Sequence, residues 1–206
     1  MAPVDERLLS ILVRSQDQGF LGPGDLFTHV EHARAHAEAA QPELGQRWCD
    51  LGTGGGVPGL LMALEQPGVE FVLLDRSQSR IDFLDTVIGD LDIGDRVTLA
   101  LGDAAELAHR PEHRYAYDGV VSRAFGPPAA VAECSVGLLR PGGRLVVSEP
   151  PNSNDQRWPA EPLAQLGLHF VRHTSTTPAF AVMERQSLPN PTYPRTWKQI
   201  RKRPLF

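Results

Sequence analysis

From residue 47 onward, short apolar runs alternate with segments in which apolar residues recur at helical spacing. The apolar runs have the length of β-strands and lie at 47–51, 69–75, 96–101, 117–122 and 143–149. The helical segments between them lie near 57–66, 77–90, 103–109 and 127–139. Nearly continuous apolar strands that alternate with helices are typical of a parallel sheet with helices on both faces. The pattern therefore predicts an α/β, Rossmann-like fold with five parallel strands.

The segments on either side of this core follow other patterns. Residues 168–174 and 179–185 have the pattern of two more strands, and their short connection requires an antiparallel hairpin. Ahead of the first strand, helices are predicted over 5–16 and 25–41. After Arg185, prolines and basic residues interrupt every periodicity, which predicts an extended or disordered tail. The predicted divisions are an N-terminal helical segment (1–44), a central domain (45–185) and a basic extended tail (186–206).

The composition is that of an ordinary soluble globular protein, with 41% apolar and 22% charged residues, which excludes a wholly disordered chain. Two cysteines are too few for a disulfide scaffold, and their spacing fits no zinc motif. We therefore expect no metal site and a location in the reducing cytoplasm. No apolar run approaches the roughly 18–20 residues that cross a bilayer, so no membrane partner is expected. A monomer is expected.

The net charge of −5 conceals a strong asymmetry. Residues 185–206 contain six basic and no acidic side chains, so this segment carries +6 and the rest of the chain −11. Tyr193, Trp197 and Phe206 are interleaved with these charges. Cations neutralise phosphates and aromatic faces stack on unpaired bases, so the tail suits RNA. The tail residues predicted to bind this substrate are Arg195, Lys198 and Arg201; a solvated tail without function is the alternative.

A glycine-rich segment, residues 50–59 (DLGTGGGVPG), links the first predicted strand to the following helix. Glycines there allow positive φ and let a ligand approach the main chain closely. The N–H groups at the start of the helix favour an anionic or carbonyl-rich group. The spacing Gly54-x-Gly56-x-x-Gly59, with Asp75 closing the second strand, satisfies the dinucleotide fingerprint. A tight turn that binds nothing is the simplest alternative.

A second spacing, Asp50-x-Gly52-x-Gly54-x-Gly56, suits S-adenosylmethionine instead. A carboxylate at position 50 would repel a pyrophosphate, whereas it would attract the ammonium and sulfonium of the methionyl group. The third strand ends in Gly102-Asp103, which places a carboxylate where an adenine amino group could donate to it. These aspartates favour the S-adenosylmethionine interpretation.

Together, these features resemble the class I S-adenosylmethionine-dependent methyltransferases, over about residues 45–185. Their sheet has five parallel strands and a terminal antiparallel hairpin. The resemblance implies that Asp75 accepts hydrogen bonds from both ribose hydroxyls and that Asp103 binds the adenine amino group. It also implies that Gly52, Gly54 and Gly56 line the methionine side. The simpler alternatives are a solvated strand end for Asp75 and a helix N-cap for Asp103.

Four segments narrow the resemblance, namely Gly56-Val57-Pro58-Gly59, Leu73-Leu74-Asp75-Arg76-Ser77, Val121-Ser122-Arg123-Ala124 and Tyr193-Pro194-Arg195 with Lys202-Arg203-Pro204-Leu205. They are similar to the bacterial small-subunit ribosomal RNA guanine-N7 methyltransferase family (RsmG, formerly GidB). The resemblance implies methylation of guanine N7 in ribosomal RNA or the small ribosomal subunit. It adds to the cofactor contacts Val57, Ala104, Ala105 and Arg123. Arg123 would pair with the methionine carboxylate or a substrate phosphate.

The N-terminal segment departs from that family's pattern. His32 is the counterpart of the family's histidine near the target base, and it is therefore a candidate substrate contact, but Ala35 and His36 stand where the family has Asp and Ser. His29, His32 and His36 share one helical face, which predicts an exposed polar stripe or a substrate-facing surface. The catalytic residue is unknown. A small-molecule methyltransferase and a non-catalytic cofactor- or RNA-binding homologue remain alternatives.

Overall fold

A computed structural model of the chain describes residues 6–174 and 176–206. Residues 1–5, which begin the predicted helical segment 1–44, lie outside the described residues. Within the described part of the chain, no helix has both the length and the apolar character needed to cross a membrane.

The centre of the molecule is one seven-stranded sheet in the order β3-β2-β1-β4-β5-β7-β6. The strands are β1 (Arg47–Leu51), β2 (Glu70–Asp75), β3 (Val97–Leu101), β4 (Tyr117–Ser122), β5 (Leu139–Ser148), β6 (Leu168–His173) and β7 (Phe180–Arg185). The first five strands run parallel, and β7 pairs antiparallel with both β5 and β6. This confirms the predicted parallel sheet with a terminal antiparallel hairpin.

Helices cover both faces of the sheet. They are α1 (Glu6–Asp17), α2 (Leu26–Ala40), α3 (Gly59–Glu65), α4 (Gln78–Leu91), α5 (Ala104–Leu107), α6 (Pro128–Leu138), α7 (Ala160–Gln165) and α8 (Trp197–Lys202). Successive strand residues point to opposite faces. Trp48 and Leu73 therefore pack with α1 to α4, whereas Cys49 and Leu74 pack with α5 to α8.

The sheet topology determines where a ligand can bind. The chain runs outward from β1 through β2 to β3 and then returns to place β4 on the other side of β1. Ligands of such sheets bind beyond the carboxyl ends of the strands, at the point where the strand order reverses. The glycine-rich turn after β1 and Arg123 after β4 both lie at this point.

The prediction of an extended tail over 186–206 is wrong at its C-terminal end, where α8 forms and packs against α6. Trp197 and Ile200 are three residues apart within α8, and Ile200 is buried. This helical spacing was the signal for a packed helix, obscured by the surrounding prolines and charges. The helix α7 was not predicted either, and β5 begins at Leu139 rather than at residue 143.

Candidate cofactor site

The turn after β1 depends on glycine because of its backbone conformation. Gly52, Gly54 and Gly56 have φ values of +74°, +57° and +95°, which side chains with a Cβ rarely adopt. The main chain then folds back on itself, since the Gly56 N–H donates to the Thr53 carbonyl at 2.9 Å. The result is a stretch of bare main chain at the carboxyl end of β1.

Asp50 lies beneath this turn and is almost fully buried. Its Oδ2 accepts a hydrogen bond from the Gly59 N–H at 2.8 Å, so it fixes the start of α3. A Cβ at Gly59 would lie 2.5 Å from the Asp50 Cβ, which explains the glycine there. Burial raises the pKa of Asp50 to about 6. Asp50 is not among the residues that line the cavity in front of the turn, so any action on a ligand is indirect.

A cavity of about 160 Å³ opens in front of the glycine turn. Gly52, Asp75, Gly102, Asp103 and Ala104 line it from the carboxyl ends of β1, β2 and β3, as expected for adjacent parallel strands. Gly54, Gly56, Val57, Ala105 and Arg123 are not among its lining residues.

Asp75 connects the cavity to the turn. Its Oδ2 accepts the Gly54 N–H at 3.0 Å and a bond from Arg80 Nη1 at 3.2 Å. Its Oδ1 accepts the Ser77 N–H at 2.9 Å. An ionised carboxylate offers about four acceptor positions, so one position remains beside the cavity, and a second would become available if Arg80 moved. Asp75 is 3% exposed, which excludes the alternative of a solvated strand end.

Asp103 is the N-cap of α5. Its Oδ1 accepts the Ala105 N–H at 2.8 Å, which is the simpler role that the sequence allowed. The same side chain also lines the cavity, so capping and ligand contact are compatible at this position.

On the other side of the turn, Arg123 is held under α2. Its Nη2 donates to His29 Nδ1 at 3.0 Å, and His29 Nε2 is 3.1 Å from the Gly22 carbonyl. A guanidinium only donates, so His29 carries its proton on Nε2 and donates it to Gly22. Arg123 Nη1 is buried and has no hydrogen-bond partner among the described residues. A buried donor of this kind can be satisfied by an acceptor from a ligand or by an ordered water.

The prediction of an exposed histidine stripe on α2 is wrong, because this face of the helix covers the sheet. His36 is fully buried and its Nε2 contacts the Val146 carbonyl at 3.0 Å, while His32 Nε2 lies 2.8 Å from Ser148 Oγ. Burial lowers the pKa of His32 to about 4 and that of His36 to about 3. His32 also lines a groove beside Glu149 and the β6–β7 connection. The residues described contain no cluster of three potential metal ligands.

The buried His36 predicts a measurable pH dependence of stability. Between pH 6.5 and its lowered pKa, the unfolded chain binds a proton at this site and the folded chain does not, so folding stability falls as the pH falls. The expected slope is up to about 1.4 kcal/mol per pH unit. Asp50, with its raised pKa, contributes in the opposite direction below pH 6.

The test is therefore a comparison of wild type with His36→Leu by urea unfolding at several pH values. The free energy of unfolding of the variant should depend less steeply on pH between 6.5 and 4.5. Equal slopes for the two proteins would show that folding does not change the pKa of His36, which would contradict this prediction.

The basic residues of the tail divide into two groups. Arg195 is committed to Glu133 of α6, a fully buried carboxylate: Nε and Nη2 lie 2.8 and 2.7 Å from its oxygens, and the Arg195 N–H adds a bond of 2.8 Å. These donors are unavailable to a substrate phosphate, so the structure gives Arg195 an anchoring role that the sequence did not predict. Lys198 and Arg201 are exposed on α8.

Sequence reasoning missed several residues around the cavity. Phe125 and Trp197 line it, and so do Arg76 and Arg80 after β2. Arg76 follows Asp75 directly and Arg80 lies in the first turn of α4, so their position after a strand end was the signal for them. Nothing in the local sequence indicated that Trp197 would lie beside residues more than ninety positions earlier.

Comparison with known protein families identifies the family of this chain. The family model described as rRNA small subunit methyltransferase G (GidB) matches residues 27–161. The chain belongs to the GidB family. The match extends from α2 to α7 and includes all of the predicted cofactor positions, from Asp50 to Arg123.

Two curated GidB-family relatives carry the name ribosomal RNA small subunit methyltransferase G. The Symbiobacterium thermophilum protein is 34% identical over 137 residues, which is 65% of this chain and 56% of that protein. The Desulfitobacterium hafniense protein is 31% identical over 169 residues, covering 78% of this chain and 70% of that protein. The chain thus spans little more than half of the first relative.

Among solved structures, a methyltransferase from Geobacter sulfurreducens superimposes with a TM-score of 0.63 and 15% identity, covering 91% of each chain. At this identity the similarity shows the fold alone. It confirms the α/β class I methyltransferase architecture that was predicted from the sequence of this chain.

Proposed function

We propose that the chain is an S-adenosylmethionine-dependent methyltransferase that modifies guanine N7 in small-subunit ribosomal RNA. One observation carries the proposal: the GidB-family match includes the glycine turn and the ends of β2, β3 and β4, which together form most of the cavity. A family match that coincides with a cavity at the strand-order reversal supports a shared ligand as well as a shared fold.

The residues present fit an adenosyl sulfonium better than a dinucleotide. The main chain at Gly52, Gly54 and Gly56 would accommodate the methionyl side, with Val57 beside it. The buried Asp50 beneath the turn favours a cation over a pyrophosphate there. Arg123, with a buried donor that no described residue engages, would hold the methionine carboxylate.

The adenosine side would be held by the strand ends on the opposite flank. Asp75 would accept from one ribose hydroxyl through the acceptor position that its internal hydrogen bonds leave beside the cavity, and from the second hydroxyl once Arg80 moves away. Asp103 would accept from the adenine amino group, with Ala104 and Ala105 acting through their main chain. When bound, the cofactor supplies an electrophilic methyl group on its sulfonium.

The chain's own residues would then orient the guanine and exclude water. Guanine N7 carries a lone pair and no proton, so the methyl acceptor needs no general base. Orienting the guanine in a site without water is then sufficient. The α2 histidines suit this chemistry. Both ring nitrogens of His29 are engaged, and burial lowers the pKa of His32 to about 4, so His32 is uncharged at neutral pH.

The surface around the cavity would dock the RNA. Arg76 and Arg80 line the cavity itself, and Lys198 and Arg201 are exposed on α8, whose first residue, Trp197, lines the same cavity. These cations would neutralise phosphates. The remainder of the chain is acidic and would repel RNA, which restricts docking to this region. His32, in the groove beside Glu149, would contact the substrate on the α2 side.

The test uses the purified chain, methyl-labelled S-adenosylmethionine and either small ribosomal subunits or their deproteinised RNA. We expect label in the ribosomal RNA, recovered after digestion as 7-methylguanosine, and none in large-subunit RNA. In a parallel reaction supplied with a protein-free cell extract, label that enters only small metabolites would replace the proposal with a small-molecule methyltransferase. Cofactor binding without any transfer would replace it with a non-catalytic homologue.

A further inference from the structure

The last helix contributes one wall of the cavity. Trp197, the first residue of α8, lines the cavity together with Asp75 and Asp103. Among the described lining residues, it is the one that lies outside the family match at 27–161. The family match therefore does not account for this side of the site.

Trp197 forms an aromatic pair with Phe125 in front of the glycine turn. The ring centroids are 5.6 Å apart with planes at 65°, an edge-to-face arrangement. The Phe125 ring lies against Gly52, where an added Cβ would come within 2.5 Å of Phe125 Cδ2. Both rings line the cavity, whose volume of about 160 Å³ is below the roughly 300 Å³ at which small-molecule pockets begin. A ligand of that size would therefore meet the lining residues, these two rings among them.

The position of Trp197 is fixed by contacts on both sides of it. Arg195 is held by the buried Glu133 through three hydrogen bonds. A capping box between Thr196 and Gln199 begins α8, and Ile200 anchors the helix in the core. An indole placed this firmly at a cavity wall is suited to present a flat face to a ligand.

We propose that Trp197 is a cofactor-binding residue and that its indole stacks on the adenine of the adenosyl group. The identity of the ligand rests on the proposed function. Asp75 and Asp103 would hold the polar edges of the nucleoside, while the face of the base needs an apolar partner, which Trp197 supplies on the same cavity. Loss of one base–aromatic stack weakens binding roughly fivefold to a hundredfold, so the residue would account for a substantial part of the affinity.

The test is calorimetric titration of S-adenosylmethionine and of S-adenosylhomocysteine into wild type, Trp197→Ala, Trp197→Phe and Lys202→Ala. Trp197→Ala should raise the Kd roughly tenfold or more, and Trp197→Phe only a few fold, because a ring remains. Lys202 is exposed on the same helix and is not among the lining residues. Its variant should bind within about twofold of wild type and serves as the matched control.

A fluorescence titration provides a second readout that does not depend on the alanine variant folding. Trp48 and Trp158 are almost fully buried and do not line the cavity, so a change in tryptophan emission on ligand binding should come from Trp197. The Trp197→Phe variant should lose that change. Two results would overturn this inference and leave the proposed function intact. One is wild-type affinity in a folded Trp197→Ala variant, and the other is a ligand-induced change in emission that Trp197→Phe retains. Failure of wild type itself to bind either ligand would overturn the proposed function.

Discussion

Asp75→Ala is expected to bind S-adenosylmethionine roughly tenfold to a hundredfold more weakly than wild type. In the proposal this side chain supplies charge-assisted hydrogen bonds to the ribose, each worth about 1.5–3 kcal/mol when one partner is charged. It also holds the Gly54 N–H at 3.0 Å, so its removal loosens the turn on the methionyl side. Both effects act in the same direction on cofactor affinity.

Asp82→Ala is the matched control for this experiment. Asp82 lies on α4, seven residues after Asp75, and accepts a hydrogen bond from Gln78 on the exposed surface. Its loss should leave the Kd within about twofold of wild type. Calorimetry that gives equal affinities for Asp75→Ala and wild type would rule out the ribose role.

Arg195→Met should lower the free energy of unfolding by about 3 kcal/mol, because removing one partner of a buried ion pair leaves an uncompensated charge. Glu133 has no solvent access, and Arg195 supplies three hydrogen bonds to its carboxylate. The aliphatic part of the side chain is retained in methionine, so the loss reports mainly on the charge.

Urea unfolding measures this effect, with Arg201→Met as the exposed control that should change stability by less than about 0.5 kcal/mol. The double variant Glu133→Gln with Arg195→Met should recover part of the loss, since it removes both charges together. Additive losses in the double variant would contradict the proposed coupling between the two side chains.

The sheet could be predicted from sequence because its signal is local. The run 47–51 places an apolar residue on each face of β1, and the structure accordingly buries Trp48 on one side and Cys49 on the other. Parallel strands then bring their carboxyl ends to one edge, so the positions of Gly52, Asp75 and Asp103 around one cavity followed from the pattern.

The errors concern features decided by tertiary packing. The spacing of the histidines on α2 shows that they share one face of the helix, but not whether that face points to solvent or to the sheet. In the structure it packs on the sheet, and His36 contacts the Val146 carbonyl. The tail contains few apolar residues, yet a carboxylate on α6 fixes Arg195, and this contact helps to hold Trp197 at the cavity. No local pattern contains the partner sixty-two residues away.

The central claim is that the turn after β1 and the carboxylate at the end of β2 form a site for an adenosyl sulfonium. It is tested most directly by titrating the purified chain with S-adenosylmethionine and, separately, with NAD⁺. The account predicts saturable binding of S-adenosylmethionine at one site and no measurable heat with NAD⁺. Binding of NAD⁺ that competes with S-adenosylmethionine, or no binding of S-adenosylmethionine at all, would contradict it.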